Sequence, residues 1–189
     1  MSSVLSCQIV TVFTFRGDRS HTFTAAYNKA MDRDRKHGVG GPSVEMCLLY
    51  AGHTGVSINQ GKSIYGFNPD SPTHRRVSDV MDDLAAGLAF PGKVDDDTLI
   101  FHEANVCGLT VISFEILLPN ASFLKFEQSL QDEIKGTGYA YGFPDGNGDC
   151  NCITWLERIG LPLLTGRMRE FTSLSEITLY PSRRFGECL

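Results

Sequence analysis

The sequence predicts an α+β protein in which an antiparallel sheet packs with helices, and three observations carry that expectation. A run of alternating Val, Thr and Phe near the N-terminus has the two-residue period of a half-buried strand. The tetrapeptide Asn59–Lys62 joins two apolar runs in the manner of a hairpin connection. Several other stretches repeat their apolar residues at helical spacing.

Taken in order, Ser6–Arg16 reads as a strand. His21–Arg35 reads as a helix with Phe23, Ala26, Tyr27, Ala30 and Met31 on one face. His37–Pro42 is turn chemistry. Val44–Asn59 contains a strong apolar run, expected as one strand or a strand bulged at Gly52, and Ser63–Phe67 returns as its partner. Arg75–Leu88 predicts a short helix turning Val77, Val80, Met81, Leu84 and Leu88 inward. Breakers flank it (Pro69 and Pro72; Pro91 and Gly92), so it is expected either as a static surface helix or as a hinged cover over a cleft. A polar loop, PGKVDDD, should follow, and then strands at Thr98–Glu103 and Leu109–Leu117. A helix from Pro119–Ala121 to about Ile134 places Phe123, Phe126, Leu130 and Ile134 together. The glycine-rich stretch 136–149 is long for an idle connection. A last helix starts near Asn151, carries Cys152, Trp155, Leu156 and Ile159 on one face, and is stopped by Gly160 and Pro162.

Composition bounds the function classes. At 189 residues the chain suits a single domain, 1–189, with its own core. A hydrophobic content of 42% excludes disorder, and a net charge of −5 argues against nucleic acid. No stretch approaches the roughly 20 apolar residues of a membrane span. No basic segment precedes the first apolar run, so the expectation is a cytoplasmic protein, or one exported without an N-terminal signal peptide. The six cysteines lack the density of a disulfide scaffold; Cys7, Cys47 and Cys107 sit in apolar runs and are expected as buried thiols.

Two segments concentrate chemistry, 51–70 around His53 and 148–160 around Cys152. The thiolate is the nucleophilic form of cysteine, and a helix start behind an Asn or Asp cap favours it. His53, between Gly52 and Gly55, is placed to act as base to such a cysteine. The competing reading is a buried helix thiol and a hydrogen-bonded core histidine. Cys150 makes a C-x-C pair with Cys152, but zinc ligands are usually spaced C-x-x-C and no second pair exists. The run DGNGD at 145–149 opens like a calcium loop, yet the expected glycine is Cys150 and the expected glutamate is Leu156. No metal and no cofactor are therefore expected. His102 is expected in the core, His21, His37 and His74 at the surface, and Arg167 and Arg169 at a solvated helix end. Tyr139 and Tyr141 are either anchors of the glycine-rich loop or donors to an oxyanion.

His53 in HTGV, the following SIYGFNPD and the late Asn151–Cys152 pair together resemble the circularly permuted papain-like cysteine enzymes. That superfamily includes the lecithin:retinol acyltransferase family and the permuted deubiquitinating and desumoylating peptidases. In it the histidine strand precedes the cysteine helix, the order found here; the likeness covers residues 44–70 and 139–165. It implies a cysteine hydrolase of peptidase or amidase type, cutting an amide, isopeptide or thioester bond. Cys152 would be the nucleophile, His53 the base, and a protein or peptide the substrate. The same acyl-enzyme would serve an acyltransferase, and a binding module retaining the fold is the non-catalytic alternative. The resemblance also places a polar residue one strand after the histidine, commonly His, Asp, Asn or Gln. The position at that spacing is Tyr65, with Ser63 and Asn68 nearby.

Overall fold

Strand β1 (Cys7–Arg16) feeds two cores at once, because successive side chains of a strand project to opposite faces. Val10 and Val12 are fully buried in a larger core, whereas Phe13 and Phe15 join a smaller one. The computed structural model describes residues 7–18, 20–37, 48–49, 51–70, 77–142 and 148–161. Residues 38–42, Cys47, Ser71–Arg76 with His74, the 145–147 part of DGNGD, Pro162, Arg167, Arg169 and Cys188 lie outside them.

The other strands are β2 (Gly52–Ser57), β3 (Tyr65–Pro69), β4 (Phe90–Asp96), β5 (Val111–Pro119) and β6 (Ala140–Tyr141). They form one sheet in the order β5-β1-β2-β3-β4-β6, every neighbouring pair antiparallel. The helices are α1 (His21–His37), α2 (Val77–Ala85), α3 (Thr98–Val106), α4 (Asn120–Lys135) and α5 (Cys152–Arg158). The expected α+β class with an antiparallel sheet is thus the observed one.

Amphipathic spacing explains how the helices dock. Leu84 and Val80 of α2, Phe126 and Leu130 of α4, and Trp155 and Leu156 of α5 close the larger core over Val56 and Phe67. Trp155 is fully buried, stacks on Phe67 at 5.8 Å and donates its indole N–H to Glu133. Ile100, Phe101 and Ala104 of α3 close the smaller core with Phe15, Leu48, Leu49 and Ile64. An Arg35–Asp82 ion pair links α1 to α2 at the surface.

Several sequence expectations are corrected. The supposed loop PGKVDDD is most of β4: Phe90 and Val94 face the core, while Lys93 and Asp96 are exposed. Its strand character is imposed by the ladder to β3, in which Phe67 pairs with Val94. Thr98–Glu103 is helix α3 rather than strand, because Ile100, Phe101 and Ala104 make one helical face. The run before β2 is not all strand; Leu48 and Leu49 are helical and the strand begins only at Gly52, with φ of 92°. Leu88 is exposed rather than inward, because α2 ends at Ala85 and Gly87 turns the chain with φ of 84°. Val80 and Leu84 belong to the larger core, so α2 is built into the body of the protein. His102 is exposed on α3, Ala26 is exposed on α1, and Cys7 and Cys107 are exposed thiols. No helix among the described residues is long and apolar enough to cross a membrane.

Trp155→Ala should destabilise the fold by about 3–5 kcal/mol, the usual cost of emptying a large buried aromatic site. Urea unfolding followed by tyrosine fluorescence and circular dichroism measures it; a loss under about 1 kcal/mol would show that α5 is peripheral to the core.

Candidate active site

The site starts from a parting of two strands. The β2–β3 ladder holds only at Gly55–Gly66 and Val56–Tyr65, whereas the β1–β2 ladder continues to Gly52. His53 therefore stays fixed to β1, opposite Phe15, after β2 has left β3. Helix α5 packs against both β2 and β3. Phe15 and Phe101 flank the imidazole, with ring centroids 6.5 and 5.8 Å away, and shut out water.

His53 Nε2 lies 2.7 Å from Asp97 Oδ2, the ring N–H donating because a carboxylate can only accept. Both side chains are almost entirely buried. Asn68 Nδ2 donates to both carboxylate oxygens of Asp97, at 3.1 and 3.0 Å. Glycine at 66 makes this meeting possible. A Cβ there would overlap both Asp97 Oδ2 and His53 Nε2, so the pair rests on bare backbone.

Asp97 reaches the histidine by giving up a local role. It occupies the N-cap position of α3, where an aspartate normally bonds the first-turn N–H groups, but its side chain makes no cap bond. Asp96 takes up part of that work, accepting from the Thr98 backbone N–H at 3.0 Å and from the Thr98 hydroxyl. The Asp97 backbone is pinned separately, its N–H donating to Ile64 O at 2.7 Å and its carbonyl accepting from Ile100 N at 2.9 Å.

Cys152 is the first residue of α5, behind an Asn151 cap as the sequence predicts. Asn151 Oδ1 accepts from Ile153 N at 2.9 Å and Thr154 N at 3.0 Å, and Thr154 Oγ1 accepts from Asn151 N at 2.9 Å. This reciprocal capping box fixes the helix start on Asn151 and hence the position of the thiol. The preceding chain is held on β6, with Cys150 N donating to Ala140 O and Gly142 N to Cys150 O.

The electrostatics join these parts. Burial alone pulls the His53 pKa down, but the hydrogen bond to Asp97 and interaction with the Cys152 thiol outweigh it and push the value up to about 10. His53 Nδ1 is buried and makes no conventional hydrogen bond. The imidazole thus has one nitrogen committed to Asp97 and the Cys152 thiol beside it. Cys150 is set apart from its neighbour: burial, with Asp149 and Glu133 nearby, pushes its thiol up to about 12 despite Arg158. It stays protonated and is a poor nucleophile.

Cys152 and His53, both singled out from the sequence, are brought together. Tyr65 is not the residue on the histidine. It lies on the same sheet face as Val56, its register partner, and packs on the larger core. The orienting group is Asp97, whose Asp-Asp-Asp-Thr context read as a solvated acidic run before a strand. An Asp-Thr ahead of a helix is a capping signal, but the Leu-Ile-Phe run after it has the apolar, β-prone composition of a strand and masks that signal. Tyr141 is buried and packs tilted against Phe67, ring centroids 5.4 Å apart, while Tyr139 carries the Arg158 guanidinium over its ring at 5.1 Å. Both anchor the glycine-rich segment. Asp149, from the calcium-like run, accepts from the Ala140 N–H. Among the described residues no three His, Cys, Asp or Glu side chains converge to hold a metal ion. No family model, curated protein or solved structure matches the chain.

Two outcomes test this geometry. The folded protein holds the His53 proton more tightly than the unfolded chain, whose histidine titrates near its ordinary 6.5. The resulting stabilisation is complete below about pH 6.5 and is lost as pH rises through about 10. Urea midpoints between pH 6 and 10.5 should fall more steeply for the wild type than for His53→Gln; parallel curves would mean the histidine is not held as a cation. The difference between the two proteins removes the contribution of Tyr141 and Cys150, which ionise in that range only in the unfolded chain because folding raises both. Gly66→Ala should cost at least about 2 kcal/mol, because the new methyl must displace a buried ion pair. Tolerance of that alanine in a thermal melt would mean the His53–Asp97 contact is looser than described.

Proposed function

We propose that the protein is a cysteine-dependent hydrolase acting on an amide, isopeptide or thioester bond of a protein or peptide. The observation that carries this reading is a buried histidine with Asp97 on Nε2 and the Cys152 thiol near enough to raise its pKa. A nucleophile, a base and a group that orients the base are the parts that acyl transfer through a thiol requires. The chain order, histidine strand before cysteine helix, supports an arrangement like that of the permuted papain-like enzymes.

In the proposed cycle His53 holds the Cys152 proton on Nδ1 at rest, and the sulfur attacks the substrate carbonyl. The imidazolium, stabilised by Asp97, gives that proton to the departing nitrogen or sulfur as the carbonyl re-forms. Water then attacks the thioester while His53 takes its proton. The second tetrahedral species collapses, releasing the acid and the Cys152 sulfur while His53 keeps the proton, which restores the resting pair. Asp97 keeps Nε2 engaged, so the ring cannot turn its other nitrogen away from sulfur. An amine or alcohol in place of water would make the same acyl-enzyme a transferase.

Alkylation by iodoacetamide between pH 5 and 9, mapped by mass spectrometry, tests the pairing. Cys152 should react fastest at pH 6, ahead of the exposed Cys7 and Cys107. Cys150→Ala should retain that reaction, and His53→Ala should slow it by about a hundredfold or more. Labelling of Cys150 in preference to Cys152 would overturn the assignment of the nucleophile. A Cys152 rate indifferent to His53→Ala would leave a binding module as the better reading.

A further inference from the structure

We propose that Asn68 is a positioning residue for the His53–Asp97 pair. Its amide nitrogen holds the carboxylate in the one orientation that grips Nε2 and leaves Nδ1 to the cysteine. The role of Nδ1 rests on the hydrolase reading above; the hold on Asp97 does not.

Asp97 has a competing place to go. At the N-cap of α3 its carboxylate stands next to first-turn N–H groups that an aspartate ordinarily caps, yet it makes no such bond. A single hydrogen bond to His53 leaves a carboxylate free to rotate about its last torsion and sample that cap. Asn68 removes the freedom by donating to both oxygens, 3.1 Å to Oδ1 and 3.0 Å to Oδ2, the latter also held by His53 at 2.7 Å. With Gly66 providing no side chain between them, the three groups meet in a buried cluster.

The amide also shows that this contact dominates its surroundings. Asn68 Oδ1 is buried without a hydrogen-bond partner, a costly state for a carbonyl oxygen. The reversed amide would set that oxygen against a carboxylate, so the donor side is turned to Asp97 at the expense of the acceptor side. Asparagine suits the position because it donates without ionising, and so neither repels Asp97 nor competes for the His53 proton. The other charged or titratable groups around the cluster do not replace it. Lys93 of β4 is within electrostatic reach of Asp97, but it is half exposed and pairs with Asp95 at 3.0 Å. Tyr141 of β6 is buried, its pKa raised first by burial and then by Cys152, Cys150 and Asp97.

The test compares wild type, Asn68→Leu (shape kept, donors removed) and Asn68→Ser (a smaller side chain that keeps one donor). Two readouts are taken on folded protein: the 15N-imidazole spectrum of His53 across pH, and iodoacetamide alkylation of Cys152 at pH 6. Asn68→Leu should weaken or shift the low-field Nε2–H signal, lower the His53 titration and cut Cys152 alkylation about ten- to a hundredfold. Asn68→Ser should fall between it and wild type, and decides the matter if the leucine variant does not fold. A folded variant whose His53 spectrum and titration equal the wild type's overturns the proposal. A His53 spectrum that responds to Asn68 in a protein whose Cys152 shows no enhanced alkylation supports the positioning role and removes the hydrolase reading instead.

Discussion

A carboxylate and an imidazole with almost no water around them have to hold each other, and much of this fold is arranged so that they can. The 2.7 Å contact between His53 and Asp97 is closed in by Phe15 and Phe101, a setting in which an unpaired charge would be prohibitive. The contact needs β2 anchored on β1, a glycine at 66, and a helix start that brings a carboxylate in from the end of β4. Remove any one of these and a buried charge loses its partner. In that sense the smaller core, which supplies Phe15 and Phe101, is scaffolding for the site as much as for the sheet.

Local rules are broken where the site is built and observed nearby. Asp97 forgoes its cap, and Asp96 bonds Thr98 beside it. Asn68 leaves one buried oxygen without a partner in order to donate to Asp97. The cysteine helix, by contrast, follows the rules closely: a full capping box sets its first residue and a stacked Trp155–Phe67 pair seats it. The division has a physical sense. On the proposed reading a nucleophile has to be placed accurately, which regular structure does well. The base has to be tuned, and tuning requires a buried group in an environment that local preference alone would not choose.

The two neighbouring thiols show how environment separates identical chemistry. Cys150 and Cys152 are two residues apart and both buried, yet only Cys152 interacts with the histidine strongly enough to raise its pKa. Cys150 faces burial and the carboxylates of Asp149 and Glu133, which hold it protonated. A helix start between them, at Asn151, makes one the first residue of α5 and leaves the other on the strand-like segment hydrogen-bonded to β6.

What the sequence determined by itself was whatever short-range periodicity and capping encode. The alternation of β1, the hairpin at Asn59–Lys62, the apolar face of α4 and the Asn151 cap before Cys152 are all written within a turn or a strand length. So were the nucleophile and the base as candidates, through a capped cysteine and a glycine-flanked histidine. Tertiary structure alone decided the rest. The charged segment at β4 is a strand because β3 offers it a ladder, and the Leu-Ile-Phe run of α3 is a helix because one helical face meets the smaller core. The partner of His53 was beyond reach for the same reason. Asp97 is 44 residues away in the chain, and only the antiparallel return of β4 over Gly66 brings its carboxylate to the imidazole. Hydrogen bonds between distant side chains leave no period in a sequence; they exist only once the sheet has set its register.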